Sequence, residues 1–181
     1  MMSAALMAGF ASCSSDDDEP VIPNPDVPTT SSGVYVLNNG NLTSKIEGSL
    51  SYFDYANKQT YSDLFQGANG RSLGNEPQCA MVYGSKLYIG VYLSNTIEIL
   101  DAKTYKSIKQ ISLTQAEGQQ PRSMKAKDGK IYISMYNGYV SRLDTLTQTI
   151  DKSVKVGPNP EKIAIVGNDL YVPNSDGMNW K

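Results

Sequence analysis

At 181 residues with 40% hydrophobic side chains, the chain carries enough apolar surface to bury one sizeable core. It contains no histidine, which removes imidazole acid–base catalysis, Ser-His-Asp and Cys-His nucleophile pairs and His-ligated metal sites from its chemistry. The formal charge is −2 and the basic residues are scattered, with no basic helix and no dense patch, so nothing argues for a nucleic-acid partner.

The first element in chain order is MMSAALMAGFASC, an apolar run of small residues ending at Cys13. It falls short of the about 20 apolar residues that cross a bilayer and reads as an export signal over residues 1–13. Behind it, SSDDDEP and VIPNPDVPTTSSG supply acids, prolines and hydroxyl residues that cannot pack, which predicts a disordered tether over 14–32. The acids Asp16, Asp17, Asp18, Glu19 and Asp26 are unopposed by any Lys or Arg there, so the remainder of the chain is mildly basic. Phe10-Ala11-Ser12-Cys13 resembles the lipobox of bacterial lipoproteins, which implies lipidation of Cys13. The Ser/Asp-rich stretch after it resembles the surface-export signal of outer-membrane lipoproteins in gut Gram-negative bacteria. With Cys13 lipidated, Cys79 has no partner for an intrachain disulfide.

From residue 33 onward the sequence repeats. GVYVLNNG, KLYIGVYLSN, KIYISMYNG and DLYVPNSDG align on Tyr35, Tyr88, Tyr132 and Tyr171, spaced 53, 44 and 39 residues apart. A second column, SLSYFD, TIEILD and YVSRLD, ends on Asp54, Asp101 and Asp144 ahead of a short polar turn. Periods near 40 residues with strand-like content predict an all-β fold, a β-propeller of four-stranded antiparallel blades. One blade is readable in full: RSMKAK as inner strand, Asp128-Gly129 as a tight hairpin turn, KIYISMY as second strand, YVSRLD as third and TIDKSVKV as outer edge. Burial is expected to grade along each blade, greatest for inner strands sandwiched between neighbours and least for the charged fourth strand.

Three Gly-x-x-Pro segments, GNEPQ, GQQPR and GPNPE, fall between the outer strand of one blade and the inner strand of the next. Glycine permits the reversal there, and proline suits a strand entry that needs no ladder donor. The residues that vary around them are expected to ring the mouth of the central channel: Asn75, Glu76 and Gln78, then Gln119, Gln120 and Arg122, then Asn159 and Glu161. The loops between strands two and three share that face and add Tyr92, Ser94 and Asn95, then Tyr136 and Asn137, then Asn174, Ser175 and Asp176. Amides, aromatics and a few charges around a concave mouth suit a polar ligand or a protein surface, although the same residue types serve as ordinary turn formers. Asp54, Asp101 and Asp144 read as turn residues at the far end of strand three, and Cys79 on an inner strand reads as a small buried hydrophobe.

DLYVPN and KLYIGVYLSNTIEILDAKTYK resemble the Tyr-Val-Thr-Asn repeat family of seven-bladed propellers, over essentially all of residues 33–181. Together with GVYVLNNGN, GSLSYFD, FQGANGRSLGNEPQ and the lipobox, they resemble a group of propeller lipoproteins of gut Gram-negative bacteria. That group includes a surface cobalamin-binding member that caps a TonB-dependent transporter. The resemblance implies a non-enzymatic, lipid-anchored protein of the outer membrane, facing the cell surface. It would need no cofactor, bind cobalamin or another corrinoid and deliver it to a TonB-dependent transporter. About 150 residues form three blades and the start of a fourth at ~40 to 45 residues per blade, so a truncated product or a fragment of a larger ring is expected. Two alternatives compete: a protein-interaction scaffold, and a lactonase or lyase that would have to work through Glu76, Glu161 and Asp176, which lack metal-ligand spacing.

Overall fold

A computed structural model describes residues 32–175, and it is an all-β fold with one short helix. Cys13, the tether up to residue 31 and Asp176 therefore lie outside the described residues. Two sheets are complete four-stranded blades. The first runs β4 (Pro77–Tyr83), β5 (Lys86–Val91), β6 (Thr96–Asp101) and β7 (Ser107–Ser112), and the next runs β8 (Pro121–Lys127), β9 (Lys130–Met135), β10 (Tyr139–Asp144) and β11 (Thr149–Lys155). Each is an antiparallel meander in sequence order, and the second matches the blade read from sequence strand for strand. A three-stranded sheet precedes them, β1 (Gly33–Asn38), β2 (Ser49–Asp54) and β3 (Gln59–Tyr61), and a two-stranded one follows, β12 (Ala164–Val166) and β13 (Asp169–Tyr171). Tyr88 and Tyr132 lie in separate sheets, as radial blades require.

The blades stack through strands that are apolar on both faces. Along β5, Leu87, Ile89 and Val91 pack with Leu50, Phe65 and Leu73 of the preceding unit. The intervening Tyr88 joins Ile97, Ile99, Met124, Ile131, Ile133, Met135 and Leu143 against the following blade. Side-chain period two thus serves two neighbours at once, which is why KLYIGV carries no polar face. The inner strands β4 and β8 pack on each other around the axis.

Burial differs from the sequence expectation in one respect. Strands two and three are the most buried, whereas inner strand β4 alternates, with Ala80 and Val82 exposed. The cause is geometric: alternate side chains of an inner strand face the axis rather than a neighbouring blade. The outer strand β7 alternates between half-buried and exposed, as expected of an edge.

The 53-residue first spacing comes from two insertions. One is the helix α1 (Leu64–Asn69), which seats Phe65 in the interblade core. Asn69 ties the helix to the next blade, donating from Nδ2 to Tyr105 O at 2.9 Å and accepting from Ser107 N at 2.8 Å. Just after the helix, Arg71 reaches the fully buried Glu98 carboxylate at 2.8 Å and lies 4.7 Å over the Phe65 ring. Ser107 and Gln110 donate to the same carboxylate, so this buried charge is compensated. The second insertion is the long β1–β2 loop.

At the far end of strand three the aspartates are turn residues, as read from sequence. Each Oδ1 accepts from the backbone N–H groups two and three residues on: Ala56 and Asn57 for Asp54, Lys103 and Thr104 for Asp101, Leu146 and Thr147 for Asp144. Hydrogen bonding by Lys130, then by the Thr147 and Leu146 amides, holds the Asp144 carboxyl down at about 2. A carboxyl depressed on folding stabilises the fold above its ordinary value and loses that contribution as pH falls through the depressed one. The melting temperature is therefore expected to fall between about pH 4 and pH 2, with a shallower slope in Asp144→Asn, a comparison that thermal melts across this range decide.

Thr96 supplies a second stability test. Its Oγ1 is buried without a hydrogen-bond partner among the described residues, at the start of one of the two most buried strands. Thr96→Val removes an unsatisfied hydroxyl from a position of β-branched shape, and is expected to raise stability by about 1 kcal/mol in denaturant titrations.

Candidate ligand-binding mouth

The three Gly-x-x-Pro loops share one backbone form. Gly74, Gly118 and Gly157 have φ of 109°, 89° and 116°, and the residue before each proline, Glu76, Gln120 and Asn159, has φ of 53°, 63° and 50°. Left-handed backbone at a non-glycine residue costs energy, so a threefold recurrence indicates loops held by their surroundings. Those surroundings are the neighbouring turns. Tyr92 N donates to Glu76 O at 2.8 Å, Tyr136 N to Gln120 O at 2.8 Å and Ser175 N to Asn159 O at 3.0 Å.

The inner strands β4 and β8 each then open with a bulge. The register shifts between Pro77 and Cys79 and between Pro121 and Ser123, leaving Gln78 and Arg122 as the extra residues. A bulge re-aims one side chain out of the ladder. Here the re-aimed side chains, with Glu161 at the corresponding place after Pro160, meet across blades. Arg122 Nε donates to Glu161 Oε2 at 3.0 Å and its Nη1 to Gln78 Oε1 at 3.3 Å. Gln78 Nε2 reaches Asn39 Oδ1 at 3.4 Å, and Ser175 Oγ reaches Glu161 Oε1 at 3.4 Å. The result is a polar arc, Asn39, Gln78, Arg122, Glu161 and Ser175, with contributions from all four sheets.

Two aromatic rings flank the arc. The Arg122 guanidinium lies 5.5 Å over the Tyr136 ring, and Tyr136 meets Tyr92 edge-on at 5.9 Å. Tyr92 titrates above its ordinary range because burial disfavours the phenolate, with Tyr136 and Glu76 adding to the shift. Arg122 and Glu161 remain 37% and 30% exposed, so a ligand can reach both. Cys79, one residue beyond the bulge, has its thiol pushed up to about 12 by burial, which suits packing and not nucleophilic work.

The sequence-predicted mouth residues divide into two groups. Gln78, Arg122, Tyr92, Tyr136 and Glu161 come together as described, with Glu76 beside Tyr92. Asn95 Oδ1 accepts from Gln120 N at 2.9 Å, Asn137 Oδ1 from Gln119 N at 2.9 Å, and Ser94 Oγ from Asn75 N at 2.9 Å. Asn174 Nδ2 donates to Val156 O at 2.7 Å. These amides and this hydroxyl hold loop backbone; Gln120 and Asn159 contribute the left-handed residues themselves. Asn39, near the end of the GVYVLNNG repeat, lies outside the mouth residues expected from the sequence and joins them through Gln78.

The family described as Domain of unknown function (DUF5074) matches residues 32–177. No curated protein matches the sequence significantly. Among solved structures, the computationally designed Ika8 protein superposes with a TM-score of 0.60 at 12% identity, over 83% of this chain and 42% of that one. The designed Ika4 protein gives 0.60 at 11% identity, over 82% and 83%. Hydrazine synthase of Kuenenia stuttgartiensis gives 0.54 at 16% identity, over 64% of this chain and 32% of that one. The chain thus spans less than half of Ika8 and about a third of the hydrazine synthase chain. At such identities these likenesses concern the fold alone, and they agree with a propeller.

Proposed function

We infer that this chain, which belongs to the DUF5074 family of domains of unknown function, is a non-enzymatic binding protein that captures a small ligand at the mouth of its propeller. The observation that carries the reading is the bulge-directed arc. Three neighbouring units place an amide, a guanidinium, a carboxylate and two phenol rings on one face, with the Asn39 amide added from the first, and none of them belongs to the interblade core.

The ligand that fits both the arc and the sequence resemblance is cobalamin or another corrinoid. A corrinoid is a conjugated macrocycle fringed with carboxamides. Tyr92, Tyr136 and the stacked guanidinium offer apolar and π surface to such a ring, while Gln78, Glu161 and Asn39 offer acceptors and donors to the amides. The lipobox-like Phe10–Cys13 segment supports a lipid-anchored protein at the outer-membrane surface, and the same resemblance supports delivery to a TonB-dependent transporter. The hydrolytic alternative has less support, because the Glu161 carboxylate is taken up by Arg122 and Asp176 lies outside the described residues.

Isothermal titration of the full chain with cyanocobalamin tests the reading. Saturable heat at micromolar concentrations or below is expected. Absence of heat at those concentrations removes the corrinoid as ligand.

A further inference from the structure

On the same face as the mouth, but on the side of the first sheet, a cavity of about 560 Å³ lies between the β1–β2 loop and α1. Its size is that of a small-molecule site. Its walls are built and not loose. The loop closes as a tight hairpin, with Asn41 and Ile46 exchanging backbone hydrogen bonds at 2.7 and 2.9 Å and Asn41 Oδ1 accepting from Ser44 N at 2.8 Å. Its base is pinned to the Gly-x-x-Pro loop through Gly48 N to Gly74 O at 2.8 Å.

The lining combines features that the fold itself does not use. Leu42 and Ile46 stand at the cavity 58% and 59% exposed, outside both interblade cores. Lys45, Glu47 and Asp63 line it too and take part in none of the ion pairs among the described residues. Gln66 and Asn75 add amides, and the Asn75 backbone is already fixed by Ser94. The matching loops of the two complete blades are short turns and build no such wall.

We propose that this cavity is a second binding site, for a molecule that joins a branched aliphatic body to amide groups and carries no negative charge, the chemistry of a short aliphatic peptide segment. Leu42 and Ile46 cover the aliphatic body. The amides and carboxylates pair with peptide N–H and C=O groups. One cation against two carboxylates disfavours an anion and tolerates an ammonium. The site is separate from the mouth arc, so it stands or falls independently of the corrinoid.

Backbone-amide NMR spectra of the isotope-labelled full chain, titrated with N-acetyl-leucinamide, test it. Saturating shifts are expected at millimolar concentrations across residues 41–48 and at Asp63, Gln66 and Asn75, with the amides of Gln120 and Arg122 unmoved. Leucinamide should bind at least as well, and the carboxylate N-acetyl-leucine about fivefold more weakly. Ile46→Trp, at an exposed position outside both interblade cores, narrows the cavity and should weaken N-acetyl-leucinamide about tenfold. Shifts that are absent, that are equal for all three probes, or that survive Ile46→Trp unchanged would overturn the proposal. Failure of the cyanocobalamin titration bears only on the mouth.

Discussion

Arg122→Ala is expected to weaken corrinoid binding by about thirtyfold or more while leaving the fold in place. Arg122 is the hub of the arc, touching Glu161, Gln78 and Tyr136 from three different sheets. A central, partly desolvated arginine stacked on an aromatic ring is the type of residue whose truncation costs about 2 kcal/mol or more of binding. Its ion pair is about one-third exposed on both sides, so the cost in stability stays within about 1 kcal/mol. Arg122→Lys keeps the charge but loses the two-directional fork and the planar stack, so binding should remain weakened about tenfold. Titration calorimetry with cyanocobalamin and a thermal melt of each variant separate the two quantities. Unchanged affinity in Arg122→Ala would remove the arc from the ligand site.

Gly90→Val carries the largest expected effect on stability. A Cβ at this position of β5 would sit 2.7 Å from the Cys79 Sγ, 2.9 Å from the Pro121 Cβ and 3.2 Å from the Met124 Cε. Pro121 is fixed at the head of the next inner strand and cannot yield. The blades must separate locally, at a cost of about 3 kcal/mol, measurable as a lower denaturant midpoint. Gly67→Ala is the matched control: at this exposed position of helix α1 nothing lies within 4 Å of the added carbon, and stability should rise by up to about 1 kcal/mol.

Much of this architecture was legible because the repeat is written in residue types with few alternatives. The tyrosine column fixed the second strands, and the aspartate column fixed the turns after the third strands. Asp128-Gly129 fixed its hairpin, since both residues adopt positive φ, 49° and 74°. The mouth was legible as a location but not as a set of contacts. An asparagine that caps a loop and one that meets a ligand look alike in sequence, and only the hydrogen bonds of Asn95, Asn137 and Asn174 show that they hold backbone. The pairing of Gln78 with Arg122 depends on two bulges, which local sequence does not announce. Helix α1 went unseen for a different reason. It is six residues long, with Asp63 before it in a left-handed conformation and no side-chain cap, so propensity gives almost no signal.

The aspartate turns give the two ends of the propeller unequal freedom to change. At one end Asp54, Asp101 and Asp144 each commit a carboxylate to the same local fold-back, so novelty there disturbs a joint that every blade shares. At the other, Gln78 and Arg122, each following its proline, are ejected from the ladder by a bulge and answer only to their neighbours around the rim. New recognition chemistry can therefore be written into that rim one blade at a time, without redrafting the sheets that carry it.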